Sequence, residues 1–150
     1  MALKTVSAVP VLQIAGAYTA LDNVGALLTF ANAADGSNGY AARLLRVKIV
    51  DKASISAQFT LHLLKSSPTA AARTDADAYT PADADLALIL DSIAIAVADY
   101  DDLAAGSQAT IEVDKPLQLT SSGSLFGLLV CIGTPTFVAA DDLTVTLVLE

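Results

Sequence analysis

One histidine, one cysteine and a large set of aspartates are the side chains of this 150-residue sequence with the most capacity for chemistry. A histidine-based metal site or catalytic triad needs partners, and neither a second His nor a paired Cys exists here. His62 falls on the polar side of an alternating segment, so its expected role is that of a solvated or hydrogen-bonded residue. Cys131 sits within the apolar run Leu125–Gly133, where a thiol behaves as a small buried hydrophobe. The acids cluster as Asp75 with Asp77, Asp83 with Asp85, Asp99 with Asp101 and Asp102, and Asp141 with Asp142. Each cluster could offer oxygens to Ca²⁺, which needs six or more of them converging, but none has the Gly and terminal Glu of an EF-hand loop. Two carboxylates could also serve glycoside hydrolysis, yet no cleft-forming aromatic residues accompany them. Gly36-Ser37-Asn38-Gly39 lacks the Lys and the following helix of a phosphate loop, so it is a turn. The expectation is a protein without catalytic residues, cofactor or metal.

Charge sharpens that expectation. Eight Lys and Arg against sixteen Asp and Glu give a formal net charge of −8. Such a chain repels phosphate backbones, so nucleic acid is not an expected partner. Fourteen of the sixteen acids are Asp, a residue that favours caps and loops over helix interiors and here marks the connections. The mean hydropathy is +0.58, but the longest apolar runs fall far short of the roughly 20 residues that cross a bilayer, so no membrane is expected. The opening Met1-Ala2-Leu3-Lys4-Thr5 has no long apolar stretch of the signal-peptide kind, and synthesis in the cytoplasm is the expectation.

The elements that position these residues are short strands. Arg43–Asp51 sets Arg46 and Lys48 on one face and Val47 and Ile49 on the other. Ile55–Leu64 points Phe59, Leu61 and Leu63 inward and Gln58, Thr60 and His62 outward. Val24–Ala31 is a further apolar run, Ile93, Ile95 and Val97 alternate, and Ala98–Gly106 reads as an Asp-rich loop. Ile111 and Val113 form a strand that Pro116 breaks, and Leu117 and Leu119 begin another. Leu125–Thr134 suits the centre of a sheet, and Leu143–Leu149 closes the chain. One helix of about three turns is expected, with Thr80 as N-cap, Pro81 at its first position, Asp83 completing a capping box, and Leu86, Ile89 and Leu90 as its apolar stripe. Eight or nine strands at this spacing predict an all-β fold, a jelly-roll-like antiparallel β-sandwich with one short helix. Residues 1–15, with Pro10 between Val9 and Val11, are expected as an extended arm, and residues 16–150 as a single sandwich domain.

Two surfaces are candidate partner-binding sites. Val9, Pro10 and Val11 could add a strand to a neighbour. Arg43, Arg46 and Lys48, with Lys52 close by, are either an ordinary outer sheet face or a docking patch for an acidic surface.

Three stretches carry a likeness. Leu61-His62-Leu63-Leu64 with Pro68-Thr69, Ala78-Tyr79-Thr80-Pro81-Ala82-Asp83-Ala84-Asp85, and Leu125–Val130 running into Gly133-Thr134-Pro135-Thr136-Phe137 together resemble small virion proteins of tailed bacteriophages, of the head decoration (cement) type. That resemblance implies a non-catalytic protein on the capsid exterior, bound as a homotrimer to the major capsid protein lattice. Two other readings stand beside it: a tail, collar or head-fibre protein with the same sandwich, and a host-surface sandwich binding carbohydrate or Ca²⁺ near Tyr100.

Overall fold

A computed structural model describes residues 2–150. Nine strands form two antiparallel sheets: β1 (Lys4–Ala8), β2 (Leu28–Phe30), β3 (Ala41–Asp51), β4 (Phe59–Leu64), β5 (Ile89–Ile95), β6 (Tyr100–Leu103), β7 (Gly106–Gln118), β8 (Leu125–Cys131) and β9 (Leu143–Leu149). The five-stranded sheet has the order β1-β9-β3-β7-β6, and the four-stranded sheet the order β2-β8-β4-β5. The pairs β4·β5, β3·β7, β2·β8 and β1·β9 are nested, each enclosing the one before. A long hairpin wound in this way is the jelly roll, and the expected all-β sandwich is the observed one. β6 is an addition at the outer edge of β7.

Alternation does the folding. Along β3, Ala42, Leu44, Val47 and Ile49 are buried, and along β9 so are Leu143, Val145, Leu147 and Leu149. Their partners across the sandwich include Phe30, Phe59, Leu61, Leu63, Ile93, Ile95, Leu125 and Leu129. Burying each such side chain contributes about 1.5–3 kcal/mol.

β8 departs from alternation. All of its residues but Phe126 are buried, including Leu128 and Val130, which stand opposite the outward residues His62 and Thr60 of β4. The connection 65–88 lies over this outer face, and Leu64, Ala72, Leu128 and Val130 are buried apart from the main core. His62 stacks on Tyr79 of that connection, with ring centroids 4.9 Å apart. The continuous apolar sequence of β8 thus records two covered faces.

Several expectations are corrected. The helix α1 is one turn, Asp83–Leu86, with Ala82 rather than Thr80 at its N-cap. Asp85 supplies the capping carboxylate, accepting from Ala82 N–H at 3.0 Å, and Leu86 is exposed. Ile89 and Leu90 belong to β5, whose pairing with β4 overrides a local helical pattern. The Asp-rich loop contains β6, which makes a tight hairpin with β7. Pro116 does not end β7: β6 covers only Gly106–Ala109, so Pro116 occupies a free edge where its missing N–H costs nothing. Only Leu28–Phe30 of the run 24–31 is strand.

Within the segment 1–15, Lys4–Ala8 is the edge strand of the five-stranded sheet. Residue 1 lies outside the described residues. Lys4–Ala8 pairs with β9, Ser7 Oγ lies 2.8 Å from Thr146 Oγ1, and Leu12 is buried with its N–H on Ala140 O. Pro10 is buried against Gly25, whose φ is +73° and whose added Cβ would lie 2.4 Å from Pro10 Cβ. Gly25→Ala is therefore expected to cost at least about 2 kcal/mol, combining a left-handed alanine with a forced shift of Pro10. Urea unfolding read by circular dichroism checks this, and an unchanged midpoint would contradict the packing described.

Candidate functional site

The aspartates are held by the backbone they hold. Asp51, fully buried at the end of β3, accepts N–H bonds from Ala53, Ile55 and Ser56 at 2.8–2.9 Å. That loop carries the chain from the five-stranded sheet to the four-stranded one, and Ser54 and Ser56 in it have φ of 55° and 51°. Asp142 accepts from Val138 and Ala139, Asp22 from Thr19, and Asp99 from Ala96. Asp75 takes Gly25 N–H and the Tyr18 hydroxyl, which in turn accepts Gln13 N–H at 2.9 Å. Asp85 takes both the N–H and the hydroxyl of Thr69, tying the two ends of the covering connection together. Loop N–H groups that no strand can satisfy are thus met by carboxylates, as buried backbone donors require.

Among the described residues, no group of three or more His, Cys, Asp or Glu is placed to hold a metal ion. His62 Nδ1 lies 2.7 Å from Ser92 Oγ, and burial beneath Tyr79 lowers its pKa. Cys131 is buried with its thiol on Thr19 O, and burial raises its pKa. The Tyr100 hydroxyl donates to Ala57 O at 2.9 Å, so its half-buried ring is part of the frame and not an exposed platform for a sugar.

The basic candidates lie on the outer face of the five-stranded sheet. Arg43 makes a two-pronged ion pair with Asp114, and Arg46 lies 2.6 Å from Glu112, both across the β3·β7 ladder. Lys48 stands between Thr110 and Thr146 in the neighbouring strands. Lys52 pairs with Asp141 at 2.8 Å. The stretch that reads as basic in sequence is therefore largely neutralised by carboxylates brought from β7 and from the loop before β9. Spacing along one strand could not reveal those partners.

Val9, Pro10 and Val11 fall elsewhere, at the end of the sandwich where β1, β3, β5 and β8 finish. Registers Ala8↔Val145, Asp51↔Leu143, Asp51↔Ser107 and Phe59↔Cys131 bring the connections 9–18, 52–58, 96–99, 104–105 and 132–142 to this end. Backbone bonds knit them: Leu12 N–H to Ala140 O, Tyr18 N–H to Pro135 O, Lys52 N–H to Asp142 O and Ile132 N–H to Gln58 O. Among the described residues, ten large hydrophobic side chains are exposed, and seven lie here: Val9, Val11, Ile14, Val97, Leu103, Ile132 and Val138. Val11 and Val138 are the most open of the seven, at 71% and 78%. Between Ile55–Gln58, Val97 and Gly133–Pro135 runs a groove of about 290 Å³. Sequence reading found Val9 and Val11 but missed the others, because they come from three separate connections and the end of β6, which only the sheet topology joins.

No family model matches this sequence, and no curated protein matches it.

Two predictions test the carboxylate pins. Asp51→Ala strands three part-buried N–H groups and is expected to cost about 2 kcal/mol or more, with Ser54→Gly or Ser56→Gly restoring part of it. Denaturant midpoints of the single and double variants measure both effects. The bonds from Thr69 hold the Asp85 carboxyl below its ordinary pKa. A depressed carboxyl contributes stability that is present above its unfolded value and lost as pH falls through the folded one. Acidification below about pH 4 should therefore release the Thr69 and Ala82 amides before the sandwich unfolds. Amide chemical shifts followed by NMR report this, and Asp85→Asn should flatten the response.

Proposed function

We propose that this protein is a non-catalytic structural component of a tailed-phage virion, decorating the assembled capsid by binding the major capsid protein lattice, as a homotrimer on the outer surface. The observation that carries the reading is the gathering of exposed apolar side chains at one end of an otherwise acidic, internally pinned sandwich. Exposed apolar side chains gathered at one end of a molecule mark a protein-contact site. The body behind it is suited to bearing load: its aspartates hold backbone, its His and Cys are packed, and its sheets are wound into one unit. The three stretches that resemble phage virion proteins fall on β4, on the covering connection and on β8 with its following loop. A protein that binds the assembled lattice and not free subunits stabilises the shell by mass action.

Purified protein added to empty shells of the major capsid protein encoded with it should bind to saturation at a stoichiometry fixed by lattice symmetry. Co-sedimentation and quantitative gel densitometry measure that ratio. Shells that remain bare at micromolar protein would reject this function.

A further inference from the structure

The exposed charges at the apolar end are nearly all of one sign. Asp99, Asp101 and Asp102 are exposed on and beside β6, and Asp101 and Asp102 make no ion pair among the described residues. Asp141 is exposed in the same connection as Val138, and Lys52, its ion-pair partner, is the one base of these connections among the described residues. The end is therefore divided: Val9, Val11 and Val138 lie on the β1·β9 side, and exposed carboxylates flank Val97 and Leu103 on the β6 side.

From this division we infer that the docking partner is a protein surface with an apolar centre and lysine or arginine side chains along one margin, the margin that meets β6. Charge complementarity selects this occupant. A second copy joined end to end offers Asp101 and Asp102 no row of bases to meet, since Lys52 is already paired with Asp141, in a chain carrying −8. Nucleic acid and anionic lipid surfaces present negative charge and meet repulsion. A basic-margined protein surface turns that repulsion into attraction and also fixes which way round the protein sits, since Asp141 is neutralised by Lys52 and only the β6 side of the end carries unpaired charge. The inference rests on the capsid reading for the partner's identity but adds the surface, its chemistry and its orientation.

The experiment titrates empty shells with the unmodified protein, with the double variant Val11→Asp/Val138→Asp, and with Asp101→Lys/Asp102→Lys, each at 50 and 500 mM NaCl. All four positions are exposed, and thermal melts that match the unmodified protein confirm folding. The expected result is binding by the unmodified protein that weakens about tenfold at the higher salt, as screening shortens the reach of the margin charges. The valine variant should lose about a hundredfold at both salts. The lysine variant should lose about tenfold at low salt and converge on the unmodified protein at high salt. A folded valine variant that binds normally would overturn this end as the docking surface while leaving the capsid reading intact. A lysine variant that binds equally or more tightly would overturn the basic margin. Absence of binding by the unmodified protein would instead overturn the capsid reading, and this occupant with it.

Discussion

Most passages of this chain between its two sheets leave backbone N–H groups beyond the reach of any strand, and a carboxylate takes them up. Asp51 does so most completely, accepting three such groups with none of its surface open to water. The turn it holds contains two serines at positive φ, a conformation that persists where the surroundings over-determine it. Because Asp51 ends β3 and the turn begins β4, the same three bonds set how one sheet enters the other. Asp142, Asp75 and Asp85 repeat the arrangement at the loop before β9, at the N-terminal crossing and beneath the covering connection. The strong bias toward Asp over Glu follows: a short side chain reaches a nearby N–H with little rotamer freedom to lose.

Seen this way, the acidity of the chain has two populations. One is structural, spent within hydrogen-bond distance of the backbone. The other is on the surface, where part of it faces cations: Asp114, Glu112 and Asp141 neutralise Arg43, Arg46 and Lys52. Exposed pairs of this sort add little stability, because solvent screens them and ordering two long side chains costs entropy. Their effect here is to make the broad face of the five-stranded sheet a balanced surface, which leaves the apolar end as the chemically distinct part of the molecule.

The sandwich was legible in the sequence because alternation is a direct image of a half-buried sheet. Phe59, Leu61 and Leu63 are buried as read, β9 matches its expected bounds, and β8 lies between β2 and β4. Legibility failed where a distant partner decides. Ile89 and Leu90 look helical beside Leu86, yet β4 claims them as strand. Thr80 has the side chain of a good cap, but Asp85 reaches Ala82 and Thr69 and moves the helix start. The basic stretch on β3 was visible and its acidic partners on β7 were not, since register between strands seventy residues apart leaves no local trace. The apolar end was half legible for the same reason, its valines being scattered through connections with no shared period.

The nesting of the strand pairs bears on how the molecule comes to be made. The Ser7–Thr146 contact joins residues 139 apart in sequence, and β1 and β3 both find their shared neighbour only in β9. Closing so long a loop is entropically unfavourable until the inner pairs have shortened it, so β4·β5 is the natural first contact and β1·β9 the last. During synthesis the flanks of β1 and β3 that meet β9 stay unpaired until β9 has emerged. The final step of folding therefore waits on β9, and a nascent chain of this design is exposed to edge-to-edge association until that strand is in place.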